Sequence, residues 1–198
     1  MLKVTISKGN KKMGAIPSVS LPPIITCAAG CKCAKKCYAA KLCRIYKNVK
    51  QSYDNNLACY KESPTAYFNQ IKEAAATTRF FRWHVSGDII SELYLYNMVK
   101  VAQDLPGTKF LAFTKCYDIV NRFMNYETIP DNLQIIFSEW EGMDMPNPHN
   151  LPIAHVIFKG TEPADNWKIC GGNCAFCACS GIGCWELKKG DHIAFYEH

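Results

Sequence analysis

An α/β fold with a mostly parallel sheet, shaped as a partial or irregular TIM-like barrel, follows from three features of the sequence. Short apolar strand patterns alternate with amphipathic helical ones, as in βαβ units. One of the strand patterns, Lys109 to Thr114, is a continuous apolar run. There are five or six strand patterns, too few for a closed eight-stranded barrel. The chain of 198 residues fits a single domain over 1–198, with cysteine-rich segments at 27–43 and 170–185.

The elements are assigned in order. Leu2 to Ser7 reads as a short strand. Ala39 to Lys50 reads as a helix, and a longer helix runs from Ser63 or Pro64 to Ala76. Phe80 to Val85 is a strand that ends in Ser86-Gly87-Asp88. Ser91 caps the next helix, which carries apolar residues at Leu93, Leu95, Met98, Val99 and Ala102. Pro106-Gly107 closes that unit. Lys109 to Thr114 is a continuous apolar strand, and Tyr117 to Tyr126 is a short helix. Leu133 to Ser138, His155 to Phe158 and His192 to Tyr196 are further strands. Functional groups of such sheets gather at the C-terminal strand ends. That places Ser86-Gly87-Asp88, Thr114-Lys115-Cys116, Ser138-Glu139-Trp140 and Lys159-Gly160 along one rim.

Composition narrows the function. Hydrophobic residues make up 48% and charged residues 20% of the chain, enough for an ordinary core. No run approaches the roughly 18 apolar residues of a membrane span. The N-terminus lacks the apolar stretch of a signal peptide, so the expected location is the cytoplasm. Net charge is +6, and lysines crowd into Lys32 to Lys50. Such a basic rim attracts nucleic acid or an acidic redox partner; its plainer explanation is a solvated helix face.

Twelve cysteines are the informative count. In a reducing compartment, closely spaced thiols hold metal more often than they form disulfides. The first group is Cys27, Cys31, Cys33 and Cys37, after an extended Leu21-Pro22-Pro23. The second is Cys170, Cys174, Cys177 and Cys184, in a glycine-rich loop that also holds Cys179. Flanking lysines lower thiol pKa values and offset cluster charge. Only Cys174 and Cys177 form a zinc-type knuckle. Ligands from distant, glycine-rich segments suit an iron–sulfur cluster, most simply [4Fe–4S], with zinc as the alternative. Cys43, Cys59 and Cys116 stand alone and read as buried structural residues; Cys116 also falls on the rim.

Arg82, His84 and Ser86 alternate on the first long strand, which puts them on one face. The metal, a proton or a substrate would meet His84 and Asp88 as candidate catalytic groups. Arg82, Ser86 and Lys115 are candidate cofactor-binding groups. A buried polar network of Arg82, His84, Asp88 and Glu139 is the non-functional explanation of the same pattern.

Several of these segments together resemble a bacteriophage and mobile-element family known as gene product 88. They are Leu21-Pro22-Pro23, Cys33-x3-Cys37-Tyr38-Ala39-x-Lys41, and Phe81-Arg82-x-His84-x-Ser86-Gly87-Asp88. Further along come Lys109-Phe110-x-Ala112-Phe113-Thr114-Lys115 and Ile136-Phe137-Ser138-x-Trp140. Cys170-x3-Cys174-x2-Cys177, Cys184-Trp185 and Ile193-Ala194-Phe195 complete the set. The resemblance implies a viral protein and no particular reaction. The chain is more weakly similar to radical S-adenosylmethionine enzymes, which join a partial barrel to a three-cysteine loop. The spacing here departs from their C-x3-C-x2-C, so no S-adenosylmethionine site is assigned.

The resulting expectation is a viral iron–sulfur protein with redox or electron-transfer chemistry, and an oxidoreductase if it is an enzyme. Its partner would be an electron donor or a small molecule. A structural zinc module that contacts nucleic acid is the alternative. No membrane partner is expected.

Overall fold

The computed structural model describes residues 2–197. Seven parallel strands form one open sheet in the order β1-β2-β3-β4-β5-β7-β6. They are β1 (Ser18–Val19), β2 (Phe80–Trp83), β3 (Lys109–Thr114), β4 (Leu133–Ser138), β5 (Ile153–Ile157), β6 (Trp167–Ile169) and β7 (His192–Tyr196). The expected α/β, mostly parallel architecture is present, and the sheet does not close. Six α-helices accompany it among the described residues: α1 (Tyr38–Ile45), α2 (Lys47–Glu62), α3 (Pro64–Ala75), α4 (Glu92–Asp104), α5 (Tyr117–Met124) and α6 (Cys174–Ser180).

Local chemistry explains the boundaries. Ser63 caps α3 by accepting from Ala66 N, with Pro64 as the first helical residue. Ser91 caps α4 through Tyr94 N at 3.1 Å. Asn173 caps α6 through Phe176 N at 2.9 Å, and Gly181 ends it in the left-handed region. The single helix expected over 39–50 is two helices. The chain turns extended at Tyr46, the shared cap of α1 and α2. Leu2 to Ser7 is not a strand. It runs along α2, where Asn56 holds Thr5 N and O at 2.7 and 3.0 Å, and only Ser7 bridges to Ser18.

The sheet has two different faces. Phe81, Trp83, Phe110, Ala112, Leu133, Ile135 and Phe137 pack under α2 to α5. Burying an aromatic side chain removes roughly 150–250 Å² each, at about 25 cal/mol per Å², so this layer carries much of the stability. The opposite face presents Phe80, Leu111, Ile136, Ala154 and Ile193. It is covered by Met13, Ile16, Ala178, Trp185 and Leu187. The N-terminal segment and the C-terminal cysteine region thus close the face that a full barrel would turn inward. Between β4 and β5, and between β5 and β6, no helix intervenes among the described residues.

Candidate functional site

The rim after β2 and β3 is built around Asp88. Its carboxylate accepts from Thr114 Oγ1 at 2.6 Å, Lys115 N at 2.8 Å and Ile89 N at 2.8 Å. Burial raises its pKa, and these three donors oppose the rise. Asp88 therefore ties the end of β2 to the end of β3. Lys115 Nζ reaches on to Ser138 Oγ at 2.7 Å and lies 5.7 Å above the Trp140 ring. Tyr117 donates to the Ser138 carbonyl. The ends of β2, β3 and β4 share this rim, as expected.

The N-terminal thiols sit over this rim. Cys27 accepts from Ile24 N at 3.3 Å, and Cys37 caps α1 through Ala40 N at 3.4 Å. Cys31 Sγ and Cys33 Sγ are 2.8 Å apart. This short contact favours one thiolate in the pair, and the charge of Lys115 favours the thiolate at both positions. Burial pushes Cys27 up to about 11, with Asp88, Cys31 and Cys37 adding to the rise. Buried Cys116 is raised by desolvation and by the charge of Asp88, and it also feels Cys27. Cys116 thus belongs to the same neighbourhood as the first thiol group, although it lies some eighty residues further along the chain.

The C-terminal thiols lie on the covered face. Cys170 continues from β6, its N–H bonded to Ala194 O at 2.9 Å. Cys174 opens α6, its N–H bonded to Lys12 O at 3.0 Å. Burial raises Cys184 to about 12, and Cys170, Cys174 and Cys177 raise it further. Arg82 opposes that rise, with Nη1 3.9 Å from Cys174 Sγ. Its guanidinium stacks 5.0 Å over Phe113, and its Nε is buried without a hydrogen-bond partner. Arg82 also acts on the Tyr38 hydroxyl, which donates to Val85 O and feels Cys37 and Cys27. Arg82 and Tyr38 therefore stand between the two thiol groups. All twelve cysteines are free thiols. Among the described residues, no set of three or more His, Cys, Asp or Glu side chains converges closely enough to hold a metal ion as the chain stands.

The alternation expected for Arg82, His84 and Ser86 breaks after Trp83. β2 ends there, and His84 adopts φ +51°. Its ring turns to the helix layer. Nε2 meets Tyr94 Oη at 3.0 Å, and Tyr94 Oη meets Tyr67 Oη at 2.9 Å. His84 is buried, and desolvation lowers its pKa to about 3, so the ring is neutral. His84 and Arg82 do not share a face, and Arg82, His84, Asp88 and Glu139 each have other partners rather than forming one polar network. Ser86 is buried with Oγ unpartnered. Of the candidate residues, the structure gathers Asp88, Lys115, Cys27, Cys31 and Cys33 at the rim. It gathers Arg82 with Cys170, Cys174, Cys177 and Cys184.

One grouping has no local trace in the sequence. His155 bonds Glu139 through Nδ1 and His192 Nδ1 through Nε2, the latter at 2.8 Å. Trp167 stacks on the His155 ring with centroids 3.8 Å apart. Four segments meet there only because β5, β7 and β6 are adjacent in the sheet.

Fold and site together define an open parallel α/β protein with one thiol group at its C-terminal rim and another against its covered face. The chain belongs to the gene product 88 family, whose model matches residues 3–192. It is similar to the gene 88 protein of Mycobacterium phage L5, 26% identical over 163 residues that cover 75% of this chain and 64% of that protein. It is also similar to the gene 88 protein of Mycobacterium phage D29, 25% identical over 161 residues, 69% of this chain and 67% of that protein. The chain thus spans about two thirds of the length of these relatives. No solved structure matches it. No helix among the described residues is long and apolar enough to cross a membrane.

Proposed function

We propose that this chain is an iron–sulfur protein of phage type that acts in electron transfer in the host cytoplasm. The observation that carries the proposal is the gathering of eight free thiols into two neighbourhoods on either side of Arg82 and Tyr38. Sulfur donors suit soft metals. Cationic groups at both neighbourhoods, Lys115 at one and Arg82 at the other, offset the charge of ligating thiolates.

The fit is partial for the first group. Two thiolates on one tetrahedral zinc, at about 2.3 Å each, stand about 3.8 Å apart. The 2.8 Å between Cys31 and Cys33 is shorter than that. The pair must spread by about 1 Å for both sulfurs to ligate one tetrahedral metal, and Cys27, Cys33 and Cys37 are the better ligand set. Cys170, Cys174, Cys177 and Cys184 form the second set. A bound cluster would supply reversible one-electron chemistry. Asp88 would hold Lys115 in place by its backbone bond, and Lys115 would balance charge at the rim. If a small substrate is reduced, it meets Asp88 and Lys115 there.

The test is anaerobic purification with iron, sulfide and zinc analysis and electron paramagnetic resonance. A brown protein that absorbs near 400 nm, about as iron–sulfur proteins do, and bleaches with dithionite is expected. A colourless protein with stoichiometric zinc overturns it. Structural zinc is the second reading. It is favoured by Cys174 and Cys177, which are three residues apart at the start of α6.

A further inference from the structure

The charges of this chain are segregated. The first 53 residues hold eleven Lys or Arg and no Asp or Glu, while the remaining 145 hold twelve Lys or Arg and all seventeen acids. Seven of the eleven fall in 32–50, from the 3-10 turn Lys32–Lys36 through α1 into α2. Lys36 pairs with Glu197, and Lys50 with Asp54. Lys35, Lys41, Arg44 and Lys47 are exposed and make no ion pair among the described residues. Lys41 and Arg44 form a like-charged i, i+3 pair on α1, an unfavourable arrangement by itself. A solvated helix face commonly alternates sign, and this one carries a single sign. Aromatic rings stand among the cations. Tyr46, at the joint of α1 and α2, is 52% exposed, and Tyr38, at the start of α1, is 46% exposed. The Tyr38 hydroxyl donates to Val85 O, which orients that ring while part of its surface stays open. At 1.5 Å per residue, α1 sets the two backbone positions about 12 Å apart, with Lys41 and Arg44 between them in the chain.

We infer that the surface over 32–47 binds a single-stranded nucleic acid, with the cations on its phosphates and Tyr38 and Tyr46 against its bases. Lys and Arg clustered on one face are the electrostatic footprint of phosphate binding. Lysine is depleted at protein–protein interfaces, so an acidic protein accounts less well for its density here. Exposed rings between cations are the platforms on which unpaired bases stack. A duplex keeps its base faces within its own stack and offers them to no ring, so the tyrosines select a single strand. Leu42 and Ile45, exposed on the same helix, add apolar contact for the same unstacked bases. The basic surface continues towards the C-terminal rim of the sheet. Lys36 Nζ lies 4.8 Å over Phe158, whose ring meets Trp140 edge-on at 5.8 Å. The inference does not rest on the iron–sulfur reading, because no contact in it uses a metal.

The test is fluorescence anisotropy of the full-length chain with labelled oligodeoxythymidine and oligouridine of about 20 nucleotides, longer than the roughly 4–16 nucleotides of a typical single-strand site. A DNA duplex of the same length and polyglutamate of matching charge serve as competitors. At least one single strand should bind about tenfold tighter than either competitor at the same salt, and the tighter of the two single strands identifies the partner as DNA or RNA. Lys41→Gln/Arg44→Gln/Lys47→Gln should reduce the slope of log K against log salt by about 2, at about 0.7 per lost phosphate contact. Tyr46→Ala should weaken binding at least about fivefold with that slope unchanged, and Tyr46→Phe, which keeps the ring, should bind as the parent does. A Lys61→Gln/Lys100→Gln/Lys189→Gln control, with the same charge change at exposed positions elsewhere, should keep the parent slope. Absence of single-strand binding, competition by duplex or polyglutamate as strong as by unlabelled single strand, equal slope losses in the two triple variants, parent-like binding by Tyr46→Ala, or retention on phosphatidylserine vesicles at a salt that releases both single strands overturns the inference. The comparison of probes needs only the parent chain, so it decides the matter even where a variant fails to fold.

Discussion

Acid should destabilise this protein through His84, and the size of the effect follows from its burial. A histidine in an unfolded chain titrates near 6.5. In the fold, burial lowers His84 to about 3. Between those values the unfolded state binds a proton that the native state refuses, so stability falls as pH drops below about 6.5. At pH 5 the gap is about 1.5 pH units, or about 2 kcal/mol at 1.36 kcal/mol per unit. The assay is urea denaturation at pH 7.5, 6.5, 5.5 and 5.0 for the parent chain and for His84→Asn. Asparagine tolerates the left-handed backbone at this position and does not titrate. His84→Asn should be less stable than the parent at pH 7.5, because it loses the bond to Tyr94. The difference should shrink by about 2 kcal/mol by pH 5. His155 is also lowered by burial, but it titrates in both proteins and cancels. Parallel stability curves for the two proteins would refute the reasoning.

Further outcomes follow from the rim and the covered face. Asp88→Asn places an amide donor against Thr114 Oγ1 or Lys115 N, leaving a buried donor unmet at a cost of about 1–3 kcal/mol; thermal melting should fall by roughly 2–10 °C for a chain this size. A Cβ at Gly87 would stand 2.6 Å from Thr26 Oγ1 and 2.9 Å from Leu21 O, on a backbone at φ +78°. Gly87→Ala should therefore displace the segment leading into Cys27 and reduce metal content at the first thiol group more than at the second, read by iron or zinc analysis against variants lacking each group. Arg82→Met removes the cation beside Cys174 and keeps much of the stem's packing on Phe113; alkylation of Cys184 should then shift to higher pH, because Arg82 lowers its pKa now. Trp185→Ala, which opens the contact with Phe80 at 5.2 Å, should cost about 3–5 kcal/mol in denaturant unfolding.

Much of this molecule is written in local patterns. The strand patterns read at 109–114 and 133–138 match β3 and β4 to the residue. The caps at Ser63 and Ser91 define two helix starts. Grouped thiols at each end mark the candidate metal ligands, because spacing is a one-dimensional property. β1 and β6 escape such patterns, since two or three residues carry no period. Their strand character comes from β2 and β7, to which they pair.

The tertiary structure decides the rest, and a single backbone angle shows why. Period-two alternation puts His84 with Arg82, but the positive φ at His84 ends the pleat and sends its ring to the opposite layer. Sequence spacing determines that four thiols lie near one another at 27–37 and again at 170–184. Only the fold puts Arg82 and Tyr38 between those groups and brings Cys116 to Cys27, because strand order and register fix distances between segments that are far apart in the chain. The Glu139, His155 and His192 chain has the same origin: its members meet through the β4–β5–β7 pairing and nothing closer in sequence.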